Sequence, residues 1–192
     1  MPTENRASVP EHYERHLGKI DRGWSDEKIT HGIQVVSFKD QPQPGVTTFA
    51  TLGLSRHALA LSGTRQIRQE LLVSANRMFP EAAVAAFVLS LAEHVIERGR
   101  GLLRGEVIGP STPVIAGSTV TAVYVTNPSP FEKSLSEFVS EPPTVFAYLI
   151  PITGAEASLV RDHGWRWFED QLERQDPDIW DLSRSEEVRA QD

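Results

Sequence analysis

Residues Thr144–Ile152, TVFAYLIPI, form a nearly continuous apolar run that ends against a helix-start signal. A strand with one wet face alternates apolar and polar side chains, so a run without alternation needs cover on both faces. This one predicts a central strand with further layers above and below it. Thr153-Gly-Ala-Glu156 follows at once. The spacing is that of a capping box: the threonine hydroxyl accepts from the third helical amide and the glutamate reaches back to the cap amide. A helix is expected from there towards Gln175. Gly164 is a break or a point of close packing, and Asp176-Pro177 is the stop.

The remaining elements follow from periodicity. Residues 1–9 read as disordered. Between positions 10 and 20, Tyr13, Leu17 and Ile20 share one face of a short helix, weakened by Gly18. Residues 33–38 are a short apolar run, and Gln41-Pro-Gln-Pro-Gly45 breaks the chain after them. Strands are expected over residues 46–54, 67–74, 105–108 and 118–126. Ile67, Leu71 and Val73 share a face of the second. Residues 80–98 predict the strongest helix. Pro80 suits a first turn, and Val84, Phe87, Val88, Leu91, Ala92 and Val95 form one stripe. Gly99 is its stop. The small second face, Ala83, Ala86 and Ser90, leaves room for another element to lie close. Strands and helices intermix, which predicts one α/β (α+β) domain with a mixed, mostly antiparallel sheet flanked by helices.

Composition narrows the function classes. The chain has 192 residues, 40% of them apolar, which suffices for one full core. It has no cysteine, so disulfides, thiolate metal sites and cysteine nucleophiles are excluded, and a reducing cytoplasm suits it. The start of the chain lacks the apolar stretch of a signal peptide. The longest apolar run, residues 82–92, is too short to cross a bilayer. A soluble cytoplasmic protein that makes no membrane contact is the expectation. The net charge of −7 is concentrated at one end, where residues 168–192 carry nine acids against three bases. Nucleic-acid binding needs a basic face to displace phosphate counterions, so no nucleic-acid partner is expected. The acidic end suits a basic protein partner or a solvated tail.

No catalytic signature accompanies these elements. Gly99-Arg-Gly101-Leu-Leu-Arg-Gly105 follows a helix, whereas a dinucleotide fingerprint follows a strand, so it reads as a turn. His12 and His16 are four apart, but no third ligand is identifiable, and they read as a surface pair. His94, with Glu93 and Glu97 beside it, is the one group suited to acid–base work; its bland reading is a solvent-facing helix side. No metal and no cofactor is expected. Trp165 and Trp167 lie two apart on one helix and so point in different directions. At least one belongs in the core, and an exposed one beside acids is binding-hot-spot material. The partner-binding set read from these features is Trp165, Asp176, Asp178, Trp180 and Asp181.

In their order, six segments resemble the Suppressor of fused domain family in its single-domain bacterial form. They are TFATLGLS (48–55), IRQELLV (67–73), AVAAFVLSLAEHVIER (83–98), VFAYLIPIT (145–153), residues 156–172 and WDLSR (180–184). The resemblance implies a mixed α/β domain without catalysis. It implies a protein partner: transcription factors for the animal members, toxins for bacterial members that act as immunity proteins. The animal members' second domain is not expected here, so their interdomain groove and its contact residues are not carried over. The expected division is an extension with a short helix (1–25), the Suppressor of fused-like domain (26–184) and an acidic flexible tail (185–192). The leading reading is a non-enzymatic protein-binding domain that neutralises a toxin. An enzyme using His94 and a self-associating adaptor are the alternatives.

Overall fold

The computed structural model describes residues 8–26, 31–184 and 188–189. Among these residues four helices, α1 (Val9–Leu17), α2 (Glu81–Arg98), α3 (Gly154–His163) and α4 (Trp165–Gln175), flank one sheet. Its strands are β1 (Arg22–Ser25), β2 (Gln34–Lys39), β3 (Val46–Leu52), β4 (Leu59–Ser62), β5 (Arg65–Asn76), β6 (Val107–Ile108), β7 (Ala122–Thr126), β8 (Glu137–Phe138) and β9 (Thr144–Ile152). The order is β1-β2-β3-β5-β9-β7-β6, with β4 on β5 and β8 on β9. The β5–β9 pair is parallel and the other pairs are antiparallel.

The expected central strand is central. β9 lies between β5, where Val73 is level with Leu149, and β7, where Val125 is level with the same residue. Period-two alternation divides its side chains between two cores. Ala147 and Leu149 join Leu71, Val73, Val123 and Val125 under the apolar stripe of α2. Phe146, Tyr148, Ile150 and Ile152 pack with α1, α3 and α4 on the other face. The layers are therefore helix, sheet, helices.

Local signals set the helix ends. Thr153 accepts from the Glu156 amide at 3.2 Å, and the Glu156 carboxylate accepts from the Thr153 amide at 2.9 Å. Ser8 and Glu11 make the same reciprocal pair at α1. Of the two roles open to Gly164 it takes that of a break: it adopts φ +85°, which a continuous helix does not admit, and the helical stretch after Thr153 divides there into α3 and α4.

Several expectations change. The expected strand 118–126 starts only at Ala122 and the one over 46–54 ends at Leu52, where the turn Leu54–Arg56 begins. This turn is held by Glu70, a buried carboxylate on β5 that takes Thr51 Oγ1 at 2.5 Å, Ser55 Oγ at 2.6 Å, Gly53 N–H at 3.0 Å and Ser55 N–H at 3.1 Å. Burial pushes its carboxyl above the ordinary range, and these bonds offset part of the rise. Ala86 and Ser90, on the small face of α2, are exposed, so no described element covers them.

His12 and His16 are not a surface pair. His12 is buried, stacked on Phe146 at 5.1 Å with Nε2 3.2 Å from the Leu135 carbonyl, and His16 Nδ1 lies 3.4 Å from Glu132. The apolar face of α1 carries both rings inward with it. Most of the expected disordered start and of the tail lies outside the described residues. Within the tail, Val188 is buried in the core and Arg189 N–H donates to Gln175 at 3.0 Å, so these two are packed.

Candidate functional site

Three of the five residues singled out from sequence come together. Asp176, Asp178 and Trp180 line one groove of about 700 Å³, with Tyr124, Thr126, Ile150, Glu169 and Leu172 on its other walls. α4 supplies one wall and the ends of β7 and β9 the floor. The segment after α4 folds back over the sheet because Asp176 takes a left-handed backbone at φ 43° and ends the helix.

That segment is fixed in place. Asp178 accepts from the Asn76 side-chain amide and from the Trp180 N–H, both at 3.0 Å. Asn76 N–H donates to the Trp180 carbonyl at 2.9 Å, and Trp180 Nε1 donates to the Tyr148 hydroxyl at 3.0 Å. Trp180 is half-buried, its indole anchored on β9.

Trp165 and Asp181 do not line the groove. Trp165 is half-buried behind it, with Arg104 stacked on its ring at 4.7 Å. Gly105 presses on that ring so closely that a Cβ there would sit 2.6 Å from it. Asp181 accepts from the Ser183 N–H and hydroxyl, both at 2.8 Å, and so shapes the turn that leads to Arg184.

The polar centre of the groove was not visible in the sequence. Glu169 accepts from the Tyr124 hydroxyl at 2.9 Å and the Thr126 hydroxyl at 2.8 Å, and pairs with Arg104 through two nitrogens. Burial raises the Glu169 carboxyl, but the bonds from Arg104, Thr126 and Tyr124 outweigh it and hold it below the ordinary range. Burial and the bond to Glu169 push the Tyr124 hydroxyl up. Arg104 and Glu169 are 65 residues apart, and only the sheet brings them together.

A depressed carboxyl contributes stability above its ordinary range and loses it as pH falls through the folded value. Glu169→Gln is therefore expected to flatten the stability profile below about pH 4.5. Urea midpoints measured between acid and neutral pH check this; an acid limb as steep as wild type's would contradict it.

His94 lines a separate cleft of about 320 Å³ with Phe87, Leu91, Ile108 and Thr121. Among the described residues no carboxylate lines it, Glu93 and Glu97 included, so the acid–base group suggested by their spacing is not assembled in this cleft. Among the described residues no group of three or more His, Asp or Glu is placed to hold a metal ion. Among them, no helix is long and apolar enough to cross a membrane. The arrangement beside Trp180 offers recognition chemistry: an acidic rim, aromatic walls and a fixed floor.

Comparison with known proteins agrees with this architecture. The immunity protein YqcF of Bacillus subtilis (strain 168) is 28% identical over 176 residues, 88% of each chain. A crystal structure of a suppressor of fused homolog from Neisseria gonorrhoeae FA 1090 superposes with a TM-score of 0.74 at 16% identity, over 96% of both chains. A structure of a Sufu–Fu complex gives 0.68 at 13% identity, over 94% of this chain and 90% of that one. Drosophila Suppressor of Fused gives 0.62 at 15% identity; 81% of this chain is covered, but only 42% of the fly protein. The sequence profile of the Suppressor of fused protein (SUFU) family matches residues 30–185, and the chain belongs to that family.

Proposed function

We propose that this chain is a non-catalytic protein-binding domain that acts in the cytoplasm as an immunity protein, with the groove beside Trp180 as its contact surface. The observation that carries the binding reading is the groove itself. Among the described residues four carboxylates, Glu169, Glu173, Asp176 and Asp178, line it against one cation, Arg104, next to the half-buried indole of Trp180. Aromatic anchors supply affinity where they are desolvated, and an uncompensated charge field steers an oppositely charged partner. The immunity role is supported by the likeness to YqcF along nearly the whole chain. The partner is then a toxin with a basic contact face. This chain's groove would cover that face as a complementary surface.

A growth assay tests the reading. The reading frames next to this one are expressed singly and together with it. Growth arrest by one of them, relieved by this chain and accompanied by a complex that survives gel filtration, is the expected result. Arrest that this chain does not relieve, with no complex formed, would remove the immunity role.

A further inference from the structure

The acidic groove does not end at Arg104. A second groove, of about 900 Å³, is lined among others by Ile67, Leu102, Leu103, Val139 and Phe146. Both grooves have Arg104, Thr126, Asn127 and Ser129 in their walls, so the end of β7 and the loop after it form a shared sill. Among the described residues the exposed large apolar side chains are Met78, Leu103 and Val139, and two of these three line the second groove. Val139 is 93% exposed. Apolar side chains displayed at the mouth of a groove mark a place where a partner removes them from water.

The two halves differ in charge. The second groove has Arg104, Lys133 and Glu137 in its lining, with no excess of acid. In the first, Glu169 is paired with Arg104, and Asp178 is occupied by Asn76 and Trp180. No ion pair or side-chain hydrogen bond within the described residues engages Glu173 or Asp176. Asn127 and Ser129 on the sill are exposed, and their side chains are likewise unengaged. An amide and a hydroxyl both donate and accept, which suits them to the main chain of a crossing peptide.

We infer that the two grooves are one trough for a linear segment of the protein partner, with an apolar side chain seated by Leu103 and Val139 and a lysine or arginine set against Glu173 and Asp176. This rests on the protein-binding reading above and specifies the chemistry of what is bound.

The test uses a displayed library of random linear peptides panned on the whole protein. Enriched sequences are synthesised with a fluorophore and titrated by anisotropy. Enriched peptides are expected to carry an apolar residue a few positions from Lys or Arg. Val139→Asp is expected to weaken them about tenfold or more, as loss of an anchor contact does. Glu173→Gln with Asp176→Asn is expected to weaken them about threefold and to reduce the salt dependence. All these side chains are exposed, and circular dichroism checks that the fold persists. Failure to enrich any linear sequence, or enriched peptides that bind both variants as tightly as wild type, would overturn the trough. A chain that rescues growth but fails here keeps the immunity reading and loses only the trough. A chain that fails the growth assay but passes here keeps a peptide-binding trough without an immunity role.

Discussion

Arg184→Met is expected to cost about 3–5 kcal/mol of folding free energy, the range for breaking a buried ion pair from one side. Arg184 is 4% exposed and its partner Glu156 is fully buried, with Nη2 at 2.6 Å from the carboxylate. The same nitrogen donates to the Pro151 carbonyl at 3.0 Å, at the end of β9. Glu156 also accepts from the Thr153 and Val188 amides at 2.9 and 3.1 Å. One carboxylate therefore joins the end of the central strand, the start of α3 and the C-terminal segment. Removing the guanidinium leaves that charge buried without a counter-ion. Adding Glu156→Gln to Arg184→Met removes the stranded charge and is expected to recover more than half of the loss. Urea unfolding of both variants checks this. A loss under about 1 kcal/mol for Arg184→Met would show that solvent reaches the pair.

Leu149→Ala is expected to cost about 2–5 kcal/mol, as for buried leucines in other cores. Leu149 is fully buried, level with Val73 on one side and Val125 on the other, beneath α2. Neighbours held by two strand ladders and a helix cannot close readily over the space it leaves. A loss under about half a kcal/mol in denaturant unfolding would contradict the interior placement of β9.

What could be read in advance was local. The run Thr144–Ile152 and its capping box lie in consecutive residues, and both formed where expected. The stripe of α2 was legible because its period is the helix's own. β1, RGWS, and the two-residue β8 carry no pattern and form only because β2 and β9 offer them edges. The parallel pairing of β5 with β9 joins residues more than seventy positions apart, and nothing local announces it.

The site divides in the same way. Charge placement and tryptophans drew attention to the segment after α4, and Asp176, Asp178 and Trp180 do share a groove. Nothing local separated the carboxylates that face solvent from those that shape the backbone. Asp181 holds a turn, and Asp178 is occupied by its neighbours. Arg104, Tyr124 and Glu169 come from a loop, a strand and a helix, and only the fold assembles them. Glu156 was legible as a cap but not as the partner of Arg184, because that contact spans 28 residues.

The proposed contact sets the groove beside Trp180 against a basic face of a protein partner. Association kinetics test it most directly, using the toxin identified by growth rescue, immobilised, at two salt concentrations. Rim charges act mainly on the rate of encounter. Glu173→Gln with Asp176→Asn is expected to slow association about threefold to tenfold at low salt, and to flatten the salt dependence, while dissociation changes little. Asparagine tolerates the left-handed backbone at position 176, so the end of α4 is retained. Association rates equal to wild type at low salt would rule this contact out and place the partner elsewhere on the domain.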